Sequence, residues 1–214
     1  MSLEVVSVHL PKAAGSSLAA GLRAHFGAAL ILDYGHDPAN PDHILSAAPT
    51  LPPGTRAVHG HFRGDRYVDY RAACRFTFLR EPVSNLFSIY YFWRSYPAHG
   101  NATHDRFLAE RPTIVDFARH CWPIRRLMSV SYFGGIDLGS FDFVGFYETR
   151  ELDLARLSTR LGMPLASDLF VNRTSDADAD ERQASMEDAT TLATLRSLLA
   201  DDIAFYERAR QRWE

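Results

Sequence analysis

Apolar residues fall in short runs separated by polar, Pro- and Gly-bearing stretches, and the period of the pattern changes along the chain. Leu3 to His9 (LEVVSVH) is apolar and β-branched, which predicts a buried strand. Leu18, Leu22 and Phe26 then recur at helical spacing, with Ser16 and Ser17 placed to act as N-caps. Ala28 to Tyr34, Arg56 to His61, Cys74 to Leu79 and Phe141 to Phe146 are further strand candidates. The run from Cys74 stops at Arg80-Glu81-Pro82. Proline suits a first helical turn, where its missing N–H would be unpaired anyway, so a helix is expected from Val83 to Arg94. Gly35 to Thr55, Pro97 to Pro112 and Asn172 to Asp180 lack apolar periodicity and read as loops. Thr113 caps a short helix to His120, a helix from Thr149 to Leu161 ends at Gly162 and Pro164, and one last helix runs from Ala184 to Arg212.

This alternation predicts an α/β fold with a mainly parallel central sheet flanked by helices, in one domain over residues 1–214. The chain is 46% hydrophobic and 23% charged, which excludes wholesale disorder. A net charge of -3 argues against a generic nucleic-acid partner. Its two cysteines, Cys74 and Cys121, make no disulfide framework. There is no apolar stretch of ~18 residues and no signal-peptide pattern, and Met1-Ser2-Leu3 runs straight into a strand. The expected location is the cytoplasm, with no integral membrane segment.

Ligands in open parallel sheets sit at the carboxyl ends of the strands, and three such ends carry unusual polar residues. In His9-Leu10-Pro11-Lys12-Ala13-Ala14-Gly15-Ser16-Ser17, backbone N–H groups at a helix start, a lysine and two hydroxyls suit a phosphate. Lys12 precedes Gly15, unlike the lysine that follows the last glycine of a Walker A loop, so a nucleotidase P-loop is disfavoured. The plain alternative is a strand-to-helix turn with a solvated lysine. At the second end, Arg80 and Ser88 could converge on another anion, or Arg80 could pair with Glu81 and cap the helix. At the third, His59 and His61 share one face of a strand. No further cluster at metal-ligand spacing accompanies them, and a histidine at the mouth of an anion crevice suits proton transfer.

The segments VSVHLPKAAGSSL, VHGHFRGDRYVDY, FTFLREPVSNLFSIYYFWR and FDFVGFYETRELDLARLSTRLG, in that order, resemble the sulfotransferases that use 3′-phosphoadenosine 5′-phosphosulfate (PAPS). The resemblance is to the bacterial and carbohydrate branch that includes heparan sulfate 2-O-sulfotransferase. It implies a P-loop-kinase-like sulfotransferase architecture, PAPS as donor and no metal. By this resemblance Lys12, Ala13, Ala14, Gly15, Ser16 and Ser17 hold the 5′-phosphosulfate, and Arg80 and Ser88 the 3′-phosphate. His61 is the implied base with His59 in support, Lys12 assists at the leaving phosphate, and Arg173 and Thr174 belong to a late loop over the nucleotide. Which histidine acts as base stays open. Asn85 departs from the family, where a basic residue is common. The acceptor is expected to be a hydroxyl compound, a carbohydrate or glycolipid, shaped for by an insertion at residues 96–126 in which Arg125 and Arg126 are possible anion contacts. Rival readings are a kinase-like phosphotransferase, a non-catalytic nucleotide-binding module, and an interaction protein using the aromatics from Phe87 to Trp93. At helical spacing those rings favour a core role.

Overall fold

The computed structural model describes residues 3–40, 50–165 and 179–214. Arg173 and Thr174 lie outside the described residues. Among the described residues there are five strands: β1 (Val5–Val8), β2 (Leu30–Asp33), β3 (Ala57–Gly60), β4 (Cys74–Leu79) and β5 (Phe143–Phe146). They form one sheet in the order β2-β3-β1-β4-β5, parallel at every pairing. Helices flank the sheet, so the fold is α/β. Every residue of β1 and of β3 is buried, which is why these strands read as continuous apolar runs rather than as alternation.

Register then decides where the polar ends meet. Val8 pairs with Gly60 on one side and with Thr77 on the other, and the Thr77 hydroxyl donates to the Val8 carbonyl at 2.9 Å. The chain therefore leaves the sheet at nearly the same level after β1, β3 and β4. Gly60 is required by its neighbour, since a Cβ there would stand 1.9 Å from the Asp33 carbonyl oxygen.

Helix α1 (Gly15–Phe26) packs Leu18, Leu22 and Phe26 inward, as their spacing predicts. Its start differs from expectation. Ser16 and Ser17 lie inside the first turn, and Ala14 occupies the cap with φ 66° and no side-chain bond. Helix α2 (Pro82–Ser95) is capped by the Glu81 carboxylate, which accepts from the Val83 and Ser84 N–H groups at 3.1 and 2.7 Å. Leu86, Phe87, Tyr90 and Tyr91 are buried, so most of that aromatic run is core.

The stretch expected as a loop before Pro112 contains α3 (Ala102–Glu110), capped by Asn101 and burying only His104 and Phe107. Thr113 caps α4 (Ile114–His120) as its sequence indicates. A short α5 (Trp122–Arg125) and a π-helical turn at Leu127–Tyr132 follow. Helix α6 (Arg150–Leu161) ends at Gly162, whose φ of 64° is the left-handed cap that glycine favours. The single C-terminal helix expected from sequence is three: α7 (Ala179–Glu187), α8 (Ala189–Leu198) and α9 (Ala200–Trp213). The Asp188 side chain caps α8 by accepting from the Thr191 N–H at 2.8 Å, and Leu199 bends the chain with φ -98° and ψ 12°. Among the described residues, no helix is long and apolar enough to cross a membrane.

Candidate active site

The three polar strand ends open into one cavity of about 1840 Å³. Lys12, Ala14, Gly15, Ser16 and Ser17 line it from the end of β1, His61 from the end of β3, and Arg80 and Ser88 from β4 and α2. Ala13 is buried beneath it at 1% exposure.

The loop between β1 and α1 takes an uncommon path. Lys12 and Ala14 both have left-handed backbones, with φ 61° and 66°. Non-glycine residues adopt this conformation at some cost, and such strain concentrates at functional sites. The result sets the start of α1, with its positive dipole end, against the cavity. Gly15 is dictated by packing, because a Cβ would fall 1.7 Å from His9 Nε2. Two bonds from α2 and β4 fix the loop from the other side. Asn85 Nδ2 donates to the Pro11 carbonyl at 2.9 Å, and Arg80 Nη1 donates to the Lys12 carbonyl at 3.1 Å. Asn85 is thus a brace, buried at 3% exposure, in the place where a cation was the family's expectation.

Two of the cavity's cations, Lys12 and Arg80, are held over aromatic rings. Lys12 Nζ sits 4.3 Å over the Phe92 ring, and burial together with the Arg80 charge pushes its pKa below the ordinary lysine value. Arg80 stacks 4.1 Å over Tyr147 and donates through Nε to Ser84 Oγ at 3.0 Å. Its pKa is lowered by burial, partly offset by Tyr147 and by Glu148. Arg80 does not cap α2 by pairing with Glu81; the Glu81 carboxylate serves the helix N–H groups instead. Arg150, whose guanidinium carbon lies 5.1 Å from the Tyr147 centroid, also lines the cavity.

The histidine end is a stack. His9 lies 5.0 Å from His59 and 4.4 Å from His61, centroid to centroid. His59 is completely buried, with Nδ1 2.8 Å from Ser7 Oγ, and does not line the cavity. Burial, then the nearby His61, pushes its pKa down to about 3. A sealed neutral imidazole supports its neighbours and cannot touch a substrate. Of the two β3 histidines it is His61 that reaches the cavity, beside His9, and its Nδ1 stands 3.3 Å from Asp37 Oδ2. Asp37 is held in turn by the Tyr132 hydroxyl at 2.8 Å and by the Ala39 N–H at 2.9 Å. Burial alone would raise the Asp37 carboxyl, but the bonds from His61, Ala39 and Tyr132 hold it below the usual value. His61 Nε2 is shielded and has no hydrogen-bond partner among the described residues, with the Tyr34 ring edge-on at 4.9 Å.

Sequence reasoning missed His9, Asp37, Ser84 and Arg150. His9 stands directly before the lysine loop and was readable as part of it. Asp37 lies in an aperiodic loop and gave no signal. At the C-terminal end of the stretch after Tyr96, the cavity takes Trp122, Pro123 and Ile124 but neither Arg125 nor Arg126, and Arg126 pairs with Asp201 at 2.8 Å.

No family model matches the chain, and no curated protein matches its sequence. Among solved structures it is similar to mouse sulfotransferase SULT7A1 complexed with PAP, at TM-score 0.41 and 14% identity, over 86% of this chain. The chain spans 64% of the length of that mouse protein. It is also similar to a sulfotransferase from Alicyclobacillus acidocaldarius, at TM-score 0.39 and 15% identity, over 97% of this chain and 100% of that one. At these identities and scores the likeness assigns no residue and no activity.

Proposed function

We propose that this chain is a PAPS-dependent sulfotransferase that moves a sulfuryl group to a hydroxyl acceptor. One observation carries the reading. A left-handed lysine loop at a helix start, an arginine with two serines, and a histidine braced by a carboxylate share a single cavity. The first two suit the two anionic ends of the donor, and the third suits proton removal from an alcohol. Lys12, Ala14, Gly15, Ser16 and Ser17 would take the 5′-phosphosulfate, and Arg80, Ser84 and Ser88 the 3′-phosphate.

The donor brings an already activated sulfuryl group, so the chain's task is placement and charge. His61 takes the proton from the acceptor hydroxyl as that oxygen bonds to sulfur. The bond from sulfur to the 5′-phosphate oxygen breaks, and its electron pair stays with the phosphate. Lys12 and the N–H groups of the loop meet that growing charge, the kind of preorganised electrostatics that contributes most to many enzymes. Asp37 keeps the proton on His61 Nδ1 and leaves Nε2 as the base. Nε2 is shielded, so a neighbour of the ring has to move for an acceptor to reach it, and Tyr34, edge-on at 4.9 Å and 37% exposed, is the side chain placed to swing aside.

The acceptor in this reading is a carbohydrate or glycolipid, as the resemblance to the heparan sulfate 2-O-sulfotransferase branch implies. The segment at residues 96–126 forms its side of the cavity; the exposed Tyr96 and Trp122 line it with rings on which a sugar can stack. The test is His61→Ala with a labelled donor and a panel of sugar and glycolipid acceptors. Transfer should fall by ~10²–10⁴ while binding of adenosine 3′,5′-bisphosphate (PAP) changes little. Undiminished turnover in that variant would remove His61 from the chemistry.

A further inference from the structure

Away from the histidine stack, at the rim of the cavity, His99, His104 and Asp105 bring one potential metal-ligand atom each to within 4.8 Å of one another. Nothing in the proposed transfer uses these groups. The decisive member is His104, only 4% exposed. Its Nε2 stands 2.9 Å from the Trp93 carbonyl, which can only accept, so Nε2 carries the proton. Nδ1 of the neutral ring is then a bare lone pair. That atom is buried and has no hydrogen-bond partner among the described residues. Leaving such a group unpaired is costly.

Its surroundings are arranged around it. Trp93 packs edge-on to the His104 ring at 5.4 Å and Phe107 stacks at 6.3 Å, which fixes the ring's direction. Asp105 Oδ1 lies 3.8 Å from Nδ1, too far for a hydrogen bond but on the same side. The Asp105 carboxylate is aimed by backbone N–H groups of His99 and Gly100, which donate to it at 3.2 and 3.0 Å. Those bonds also pin the His99 turn beside His104, with the two rings 5.0 Å apart.

We infer that His99, His104 and Asp105 form a binding site for a divalent transition metal, with zinc the ion their donor set suits best. Two imidazoles and a carboxylate are common zinc ligands, and an imidazole whose other nitrogen donates to a backbone carbonyl is oriented as metal-binding histidines usually are. Zinc draws its ligands to ~2.0–2.2 Å, so the set must contract; the exposed His99, whose Nδ1 stands 3.3 Å from the Pro97 carbonyl, is the side chain that has to turn inward. Three protein ligands leave a fourth position for water or a ligand oxygen. The bound ion would clasp the turn before α3 to that helix's first turn, beside the part of the cavity given to the acceptor. This inference does not depend on the sulfotransferase reading.

The test uses the full chain stripped with a chelator. Zinc is titrated by calorimetry, and cobalt by its visible absorption, in the parent, His99→Ala, Asp105→Asn and His61→Ala. His99 is exposed, so its replacement leaves folding intact and the comparison interpretable. One ion per chain should bind the parent, with at least a tenfold loss of affinity in both His99→Ala and Asp105→Asn and an unchanged titration in His61→Ala. No saturable binding to the parent overturns the site. So does parent-like affinity in either rim variant, or loss of binding in His61→Ala, which would move the metal to the histidine stack.

Discussion

Weak acid should destabilise this protein through the histidines at the candidate active-site cavity. His59 is 0% exposed, with Ser7 as its partner and His9 stacked on it. Burial is the main cause of its low folded pKa of about 3, against an ordinary value of 6.5 that the unfolded chain recovers. The unfolded state therefore binds the proton first. Stability from His59 is present in full above about pH 6.5 and is lost as pH falls toward 3, by ~1.4 kcal/mol per pH unit. Between about pH 7.5 and about pH 5.5 the loss is about 1 kcal/mol, because only the last unit lies inside the window. His9 is shifted in the same direction, by burial first and then by His61 and His59, and it adds at most a similar amount from its place at the cavity floor. The depressed carboxyls of Asp33 and Asp37 act in another window, since their contribution is lost only below their ordinary value of 3.8. Urea denaturation at the two pH values measures the drop in the parent and in His59→Asn, which can keep a bond to Ser7. The parent should lose roughly 1–3 kcal/mol, and His59→Asn about 1 kcal/mol less than the parent. Equal drops in the two proteins would show that His59 is already protonated in the fold, or that it is not sealed.

Two further outcomes follow from the site. Asp37→Asn keeps the side chain's shape but sets an amide beside His61 Nδ1, so the proton can move to Nε2 and the base is lost. Its kcat should fall by ~10²–10³ with PAP affinity unchanged, whereas a drop of less than about threefold would make Asp37 a bystander. Arg80→Ala removes a charged donor from the proposed 3′-phosphate end, where such bonds contribute ~1.5–3 kcal/mol. PAP affinity measured by calorimetry should therefore weaken by about one to two decades, and an unchanged affinity would place the 3′-phosphate elsewhere.

The sheet was legible because each of the five described strands is signalled by a short apolar run at a place where the chain must be buried, and Cys74 to Leu79 matches its strand end to end. The elements that went unread lack that signal. In α3 only His104 and Phe107 are buried, so the helix carries almost no apolar period. At the C-terminus the helical period continues through Asp188 and Leu199, and only the local cap and bend divide it. The polar residues at three strand ends pointed to one cavity because parallel register levels those ends. Asp37 was beyond reach for the opposite reason. Its role depends on Tyr132, which lies 95 positions further along the chain and is brought to it by a π-helical turn. His59 and His61 were separable only by depth, which spacing on a strand cannot reveal.

The central claim is that the cavity is built for a nucleotide with phosphates at both its 3′ and 5′ ends. Calorimetric titration of the chain with PAP, and in parallel with ATP and magnesium, tests it most directly. PAP should bind one to one, with affinity at least tenfold above that of ATP, and Lys12→Ala should weaken it. Tighter binding of ATP, or no binding of PAP, would contradict the account.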